Sequence, residues 1–249
     1  MVNIGKTQWF QCRCGCFFHC ERRDTGKIWC KEYRDKLANA VKRDVKRYPQ
    51  RVDYLIRMYM HLIEELTYGR QFLDVGFTIP SFIDKMKERG WISTGIDLIP
   101  NDYLTGDFIT YDFGINRFSF ILMNDVLQCF DDPIAALQKA YNLLIPTGVL
   151  LVLTPDTEIL PMLHHPSEFG HFGPVVHRCL FSRRQLIKSV EKIGFDRIMD
   201  WQNIGYRLFT SNEIHLMLQK NVYNLERGVN TDKTEKEGDN GEKNIVGNI

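Results

Sequence analysis

The stretch FLDVGFTIPSF, residues 72–82, decides the fold. Its apolar run leads into an acidic residue and a glycine, Asp74 and Gly76, which is how strands that carry a nucleotide cofactor commonly end. A dinucleotide-binding loop has two further glycines, and Thr78 and Pro80 stand in their places. The stretch predicts either a strand, loop and helix at a cofactor site or a strand that simply ends in a tight turn.

Strand and helix patterns alternate on from this stretch. Residues 92–99, 118–125, 148–156, 195–202 and 204–211 are strand-like, and residues 102–110 supply a weaker strand or an edge loop. Helical patterns fill the segments 80–90, 131–145 and 182–194. This alternation predicts a doubly wound, mostly parallel α/β sheet that is covered on both faces.

The helix ends carry recognisable signals. Asp132 before Pro133 predicts an N-cap, and Ser182 with Gln185 is spaced as a capping box before a stop at Gly194. These signals fix the start of two helices in the α/β region.

Composition divides the chain into four parts. We expect a cysteine-rich segment over residues 1–33, a helical extension over 34–69, the α/β domain over 70–224 and a disordered polar tail over 225–249. The extension should hold two helices, one before Pro49 and one after it. Its basic cluster favours a solvated helix face over a phosphate-binding patch: Lys42, Arg43, Lys46, Arg47 and Arg51.

Charge and hydropathy narrow the classes of partner. A formal net charge of +1 over 249 residues gives no field that would attract nucleic acid, and no apolar run approaches the length of a membrane span. Without a secretory signal pattern at the start, we expect a cytoplasmic protein, in which the seven cysteines are thiols or metal ligands rather than disulfides.

The loop discriminates between cofactors. The later glycines of a dinucleotide loop admit a pyrophosphate and a closely packed helix, and side chains at Thr78 and Pro80 obstruct both. S-Adenosylmethionine has no phosphate, so its binding requires fewer glycines in this loop than the binding of a dinucleotide. Asp97 closes the next strand at the spacing of a ribose-binding carboxylate. No Tyr-x-x-x-Lys is present for a common short-chain dehydrogenase arrangement.

Residues 70–210 resemble the class I S-adenosylmethionine-dependent methyltransferases, especially the small-molecule group that includes ubiquinone-type O-methyltransferases. The motifs FLDVG, GIDLI and FILMNDVLQCFDDP carry the resemblance, followed by LLIPTGVLLVLTPD and HRCLFSRRQLIKSVEKIGF in the same order. It implies the Rossmann-like methyltransferase fold, S-adenosylmethionine as cofactor and transfer of a methyl group. The departures are Thr78, Pro80, Ser119, Gln128, Cys129 and Thr147.

The resemblance also implies roles for individual residues. Asp74, Gly76 and Phe77 border the methionine end of the cofactor, and Asp97 binds the ribose hydroxyls. Leu98 covers one adenine face, while Asp107 and Phe108 reach the adenine amino group and ring. The residues beside the reacting methyl group are Asn124, Asp125 and Val126.

Histidines cluster where relatives place a lid over the substrate: His164, His165, His171 and His177. A hydroxyl or amine acceptor needs a base of near-neutral pKa, and we take His171 and His177 as the catalytic candidates. The plainer alternative is that each packs or lies at the surface, His177 seating the following helix. His164 and His165 with Glu168 match no known metal signature.

Five cysteines lie between residues 12 and 30: Cys12, Cys14, Cys16, Cys20 and Cys30. Four thiolates can enclose a structural zinc, but the spacing is not the paired C-x2-C type, and unbound thiols are favoured. No metal site is therefore predicted. Cys129 and Cys179 lie in apolar contexts typical of a core.

The functional hypothesis is methyl transfer from S-adenosylmethionine to a small-molecule or sugar-like acceptor. The alternative is a non-catalytic binding protein on the same fold, with the N-terminal segment as the surface for a protein partner. A dehydrogenase is the third option, and it predicts binding of a nicotinamide dinucleotide instead.

Overall fold

A seven-stranded sheet forms the centre of the molecule. The computed structural model describes residues 1–4, 7–20, 47–77, 79–158, 170–172, 176–202 and 213–221. The strands of this sheet are β4 (Gln71–Val75), β5 (Ile92–Asp97), β6 (Leu104–Thr105), β7 (Phe118–Asn124), β8 (Leu144–Pro155), β10 (Phe195–Gln202) and β11 (Glu213–Lys220). They lie in the order β10-β11-β8-β7-β4-β5-β6.

The strand order contains one reversal that positions the site. The chain runs from β4 outward through β5 to β6, then returns to the other side of β4 with β7 and β8, all mutually parallel. Among the described strands of this sheet, only β11 runs in the direction opposite to the others, so it pairs antiparallel with both β8 and β10. In such sheets ligands bind at the carboxyl ends of the strands where the order reverses, which is here between β4 and β7. The predicted doubly wound, mostly parallel fold is confirmed.

In the described part of the chain, four helices cover the two faces of this sheet: α1 (Arg47–Leu66), α2 (Ser81–Glu88), α3 (Pro133–Leu143) and α4 (Arg183–Ile193). One apolar layer joins α1 and α2 to the sheet through residues such as Ile63, Ile83 and Phe120. The other joins α3 and α4 through residues such as Leu137 and Leu186. Strands β7 and β8 are buried on both faces, as their unbroken apolar sequences predict.

The predicted helix caps are present, with one difference. The Asp132 carboxylate accepts from Ala135 N at 2.9 Å, and Gly194 takes a left-handed φ of 111° after α4. Ser182 caps α4 by accepting from Gln185 N at 3.3 Å. The other half of the capping box is replaced, because Ser182 N donates to the Cys16 thiol sulfur at 3.4 Å instead of to Gln185.

Two elements differ from the sequence-based expectation. Helix α1 contains Pro49 rather than starting after it, which its first turn allows because the missing N–H has no intrahelical partner there. The last strand of the sheet is β11, whose sequence EIHLMLQK we did not predict as a strand. The predicted strand over residues 204–211 and the helix before residue 47 lie outside the described residues.

A second, smaller sheet is built from the N-terminal residues. Its strands are β1 (Val2–Ile4), β2 (Thr7–Gln11), β3 (Phe17–His19) and β9 (Cys179–Leu180), all paired antiparallel in that order. One face buries Trp9 and Phe17 against Phe172. On β2 and β3, Phe10 and Phe18 are paired in register and exposed. Because β9 comes directly before α4, this sheet is joined to the α/β domain.

No helix in the described part of the chain is both long and apolar enough to cross a membrane.

Candidate functional site

The turn after β4 is the floor of the site. Gly76 takes a φ of 72°, and its N–H donates to Ile96 O at 2.8 Å. A Cβ on Gly76 would lie 2.2 Å from Cγ2 of Val126, which follows β7. Only glycine fits both the left-handed backbone and this close approach. The turn therefore brings the carboxyl ends of β4 and β7 together.

Two carboxylates meet on the neighbouring strands β4 and β5. Asp74 is buried, and its carboxylate has no hydrogen-bond partner among the described residues. Burial, together with the negative charge of Asp97, raises the pKa of Asp74 to about 8. Burial also raises the pKa of Asp97, to about 6. The backbone N–H of Ile99 donates to Asp97 Oδ1 at 2.8 Å, and this hydrogen bond partly offsets the rise. A buried, unpartnered acid fits a cationic ligand such as the ammonium and sulfonium of S-adenosylmethionine.

The predicted adenine side lies beyond β5. Leu98 is 43% exposed, so its side chain is available to cover a flat ring. Asp107 is exposed, and its Oδ1 accepts from the N–H groups of Ile109 and Thr110, which fixes the carboxylate in a turn. Phe108 is buried and packs with its ring centroid 6.0 Å from those of Phe113 and Phe130. Of these three residues, Phe108 packs in the core, and its contact with the adenine ring stays a prediction.

Phe77 is turned into the core. It is buried, with its ring packed edge-on to that of Tyr103 at 5.4 Å. A Cβ on Gly95 would lie 2.5 Å from the Phe77 ring, so the glycine in β5 makes room for it. Phe77 therefore offers the site its backbone rather than its ring.

At the end of β7, Asp125 takes a φ of 56°, an uncommon conformation that clusters at functional sites. Its carboxylate and its carbonyl oxygen accept from Nε2 of Gln128, which is itself buried and accepts from Thr154. Asp125 is open to solvent, yet desolvation by the surrounding protein raises its carboxyl pKa. Both observations fit a side chain on the wall of a hollow.

Cys129 differs from the expected core cysteine. It is half-buried, and the carboxylates of Asp125 and Asp97 join burial in raising the pKa of its thiol. The thiol thus lies within electrostatic reach of acids from β5 and β7. Cys179 is buried as predicted.

The N-terminal sheet places the two histidine candidates. Thr7 Oγ1 donates to Phe172 O at 3.2 Å, which holds the short 3-10 turn Gly170–Phe172 that carries His171. The His171 ring lies 5.8 Å from the ring of His177, which is buried just before β9. His177 Nδ1 donates to His171 O at 2.7 Å.

The two imidazoles differ as bases. Burial lowers the pKa of His177 to about 4, below the useful range for a base at neutral pH. Burial also lowers the pKa of His171, but the carboxylates of Asp125 and Glu213 oppose that effect. His171 is half-buried. The geometry therefore favours His171 over His177 as the base.

One polar cluster beside the site was missed by sequence reasoning. Arg51 of α1 donates to both carboxylate oxygens of Glu213, at 3.1 and 3.0 Å, and to Asn124 Oδ1 at 2.9 Å. Glu213 also contacts His215, and His215 contacts Tyr59. For Arg51, the expectation of a solvated helix face was wrong. The alternation of polar and apolar residues in EIHLMLQK was the available signal.

The remaining predictions are separated from this site or cannot be placed. Thr78, Cys30, His164, His165 and Glu168 lie outside the described residues. Cys12, Cys14 and Cys16 lie in the turn between β2 and β3, near α4 rather than the acids. Among the described residues there is no group of three or more His, Cys, Asp or Glu side chains arranged to hold a metal.

Comparison with solved structures identifies the fold. A Burkholderia thailandensis 1,6-didemethyltoxoflavin-N1-methyltransferase, solved with 1,6-didemethyltoxoflavin and S-adenosylhomocysteine, superposes with a TM-score of 0.59 at 12% identity, covering 86% of this chain and 99% of that chain. A SAM-dependent methyltransferase of Archaeoglobus fulgidus superposes with a TM-score of 0.51 at 14% identity, over 68% and 94%.

A third similar structure is the complex between the Haloferax volcanii Trm112 methyltransferase activator and a methyltransferase. Its TM-score is 0.51 at 11% identity, covering 73% of this chain and 97% of that chain. These likenesses confirm the Rossmann-like methyltransferase fold. A search of curated protein sequences gives no match.

Sequence comparison with protein families gives the affiliation. The methyltransferase-domain family model matches residues 24–198. This range includes strands β4 to β9, the turn at Gly76 and the three acids Asp74, Asp97 and Asp125. The class I methyltransferases of this fold use S-adenosylmethionine, the cofactor that the resemblance implied. The chain belongs to the methyltransferase-domain family and is an S-adenosylmethionine-dependent methyltransferase.

Proposed function

We propose that the protein transfers the methyl group of S-adenosylmethionine to a small-molecule acceptor, which includes sugar-like compounds, held beside Asp125 and His171. The observation that carries this proposal is the convergence of Asp74, Asp97 and Asp125 around the Gly76 turn. A hollow walled by acids attracts a cationic cofactor and lowers its free energy when bound.

When bound, S-adenosylmethionine supplies an electrophilic methyl group on a sulfonium. The side chains of the protein would position the cofactor and the acceptor and would deprotonate the acceptor. Asp97 would accept from the ribose hydroxyls. Asp74 keeps its proton at neutral pH in the free protein, and a cation bound near the Gly76 turn would displace that proton, so that the carboxylate then neutralises the positive charge. His171 would take the proton of the acceptor, with the Asp125 carboxylate stabilising the imidazolium that forms. Methyl transfer needs no nucleophile from the enzyme. The protein therefore contributes mainly by aligning the acceptor with the methyl group and by excluding water.

Two observations favour a small acceptor: the surroundings of His171 and the ligand of one similar solved structure. The candidate base His171 is half-buried on a turn held by the N-terminal sheet, within electrostatic reach of Asp125 at the end of β7. The Burkholderia enzyme was solved with 1,6-didemethyltoxoflavin, a small molecule. Both favour a small acceptor over a macromolecule.

Calorimetry with S-adenosylmethionine and S-adenosylhomocysteine tests the cofactor site. Asp97→Asn removes a charged acceptor for the ribose hydroxyls and is expected to weaken S-adenosylhomocysteine about 10- to 100-fold. Asp112→Asn is the matched control, because Asp112 is exposed and accepts from Gly114 N in a similar turn away from the site. Equal affinities in the two variants would contradict the assignment of Asp97.

Transfer itself is measured as release of S-adenosylhomocysteine with panels of hydroxyl and amine acceptors. His171→Gln should lower the rate at least about 100-fold, the usual contribution of a general base, without changing cofactor affinity. A protein that binds the cofactor but transfers no methyl group to any acceptor would be the non-catalytic alternative.

A further inference from the structure

Four polar side chains of α1 and β11 form a buried chain that ends at the site: Tyr59, His215, Glu213 and Arg51. The Tyr59 hydroxyl lies 2.6 Å from His215 Nδ1, and His215 Nε2 lies 3.3 Å from Glu213 Oε2. Tyr59, His215 and Glu213 are at most 5% exposed. Buried polar groups are costly unless they are fully bonded, so a chain of four holds its members in fixed positions.

Glu213 is the centre of this chain. Burial alone would raise its pKa, but hydrogen bonds from His215 and Arg51 and the charge of Arg51 lower it to about 2. Glu213 is therefore ionised at neutral pH. Its two oxygens hold the two terminal nitrogens of Arg51 in a forked arrangement.

The held guanidinium fixes the orientation of the Asn124 amide. Arg51 Nη2 lies 2.9 Å from the nearer amide atom of Asn124. A guanidinium has only donors, so that atom must be the oxygen. The amide nitrogen, with its two N–H donors, is then directed elsewhere. Within the described part of the chain this nitrogen has no hydrogen-bond partner, and Asn124 is only half-buried.

We propose that Asn124 presents these N–H donors to the reacting atom of the acceptor, so that the acceptor reacts through an oxygen (a hydroxyl, phenol or carboxylate) rather than through an amine. Arg51 is the positioning residue that prevents the amide from turning over. This inference rests on the proposed function, which holds the acceptor beside Asp125, the residue that follows Asn124.

The discrimination comes from unmatched hydrogen bonds. An oxygen nucleophile has spare lone pairs that accept from N–H groups, whereas an amine nucleophile brings N–H groups of its own, which need acceptors. Donors that face donors lose their bonds to water and gain none. Sites built to hydrogen-bond one group reject its mismatched analogue strongly.

Sinefungin tests the orientation without knowledge of the acceptor. This cofactor analogue carries an amine at the position of the transferred methyl group, whereas S-adenosylhomocysteine carries nothing there. Asn124→Leu has a similar shape and no donors. The measured quantity is the Kd of S-adenosylhomocysteine divided by the Kd of sinefungin. Asn124→Leu is expected to raise this ratio about three- to tenfold, which is the range of one hydrogen bond. Kd values are measured by calorimetry for both ligands.

A second variant and a control separate positioning from a merely structural role. Arg51→Gln removes the guanidinium that fixes the Asn124 amide. The amide can then turn its oxygen toward the amine of sinefungin, so the Kd of S-adenosylhomocysteine divided by that of sinefungin should rise. Asn142→Leu removes an exposed amide at the end of α3 and should leave the ratio unchanged.

The outcomes are distinct. A ratio that is unchanged or falls in Asn124→Leu overturns the inference, since the amide then presents its oxygen or does not face the methyl position. Binding of neither ligand by the wild-type protein overturns the proposed function itself. Binding of both, with a higher ratio in Asn124→Leu and Arg51→Gln alone, supports an oxygen acceptor.

Discussion

At the scale of single residues, Asp74 is a buried carboxylic acid whose pKa lies far above its ordinary value. Its pKa of about 8 in the folded protein compares with 3.8 for a free side chain. Between these values the folded state keeps a proton that the unfolded state has released. The folded state then binds more protons, so stability falls as pH rises from about 4 to 8.

Asp74→Asn removes this dependence. The slope of unfolding free energy against pH should become flatter between pH 5 and 8, by at most about 1.4 kcal/mol per pH unit. Urea unfolding at several pH values measures the slope, and its comparison with Asp112→Asn controls for the loss of a carboxylate elsewhere. Identical slopes in wild type and Asp74→Asn would show that the carboxyl is not protonated in the folded state.

Gly76 and Gly90 form a matched pair of left-handed glycines, with φ values of 72° and 82°. An added Cβ meets Val126 at position 76 and nothing within 4 Å at position 90. Gly90→Ala should cost about 1 kcal/mol for the backbone conformation alone. Gly76→Ala should cost about 1–3 kcal/mol more, from overpacking, and should weaken cofactor binding.

Chemical denaturation and calorimetry on both variants check this difference. Val126→Ala in the Gly76→Ala background shortens the clashing side chain, so it should recover part of the lost stability. Equal costs at positions 76 and 90 would contradict the role of Val126.

At the scale of elements, the start of α4 is where the N-terminal turn is attached. Ser182 is fully buried, caps Gln185 N, and donates from Oγ to Cys14 O at 2.8 Å. Ser182→Ala should therefore cost about 1–3 kcal/mol more than Asp132→Ala, because Asp132 is exposed and makes only a cap.

Urea denaturation of both cap variants gives these costs, and hydrogen exchange at Gln185 and Ala135 reports the local loss. A similar cost for the two caps would mean that the bond to Cys14 contributes little to stability.

Element patterns also show how far sequence reasoning reaches. The β4 loop, the caps at Asp132 and Ser182 and the apolar runs of β7 and β8 are local signals, so the sheet and its helices could be predicted. The last strand was missed although its first residues alternate polar and apolar, because Glu213 and His215 are buried at positions where a strand covered on both faces is expected to be apolar. Their burial is compensated by hydrogen bonds to Arg51 and Tyr59 of α1, which lie 162 and 156 positions earlier in the chain.

The same limit applied to the site. Asp97 follows a strand at a recognisable spacing, whereas the contact of Arg51 with Asn124 joins residues 73 positions apart and has no local signature. Thr147 illustrates the converse, since it takes a φ of 66° at the position where the resemblance implies a glycine. The backbone conformation persists there although the residue that usually indicates it is absent.

At the scale of the whole molecule, the N-terminal sheet holds the histidine turn over the acidic hollow. Trp9 is fully buried, and its ring centroid lies 5.1 Å from that of Phe172. Trp9→Ala should remove about 3–5 kcal/mol of packing from this sheet, so the amides of residues 170–172 and 177–180 should exchange hydrogen faster.

Cofactor affinity is expected to change little in Trp9→Ala, because Trp9 packs against His19 and Phe172, whereas Asp74 and Asp97 lie on β4 and β5. Phe10→Ala is the control: Phe10 lies on the same strand and is 52% exposed. Unchanged exchange in Trp9→Ala would mean that the histidine turn is held without the sheet. A protein partner for the N-terminal segment stays a prediction.

The acidic wall formed by Asp74, Asp97 and Asp125 has a consequence for turnover. Transfer of the methyl group converts a positively charged sulfonium into a neutral thioether, so the attraction that draws the reactant in disappears at the moment of reaction. Hydrogen bonds from the ribose hydroxyls to Asp97 persist in the product, but the attraction between the carboxylates and the sulfonium charge is lost. Acids at this position therefore favour departure of the product over its accumulation, without any movement of the chain.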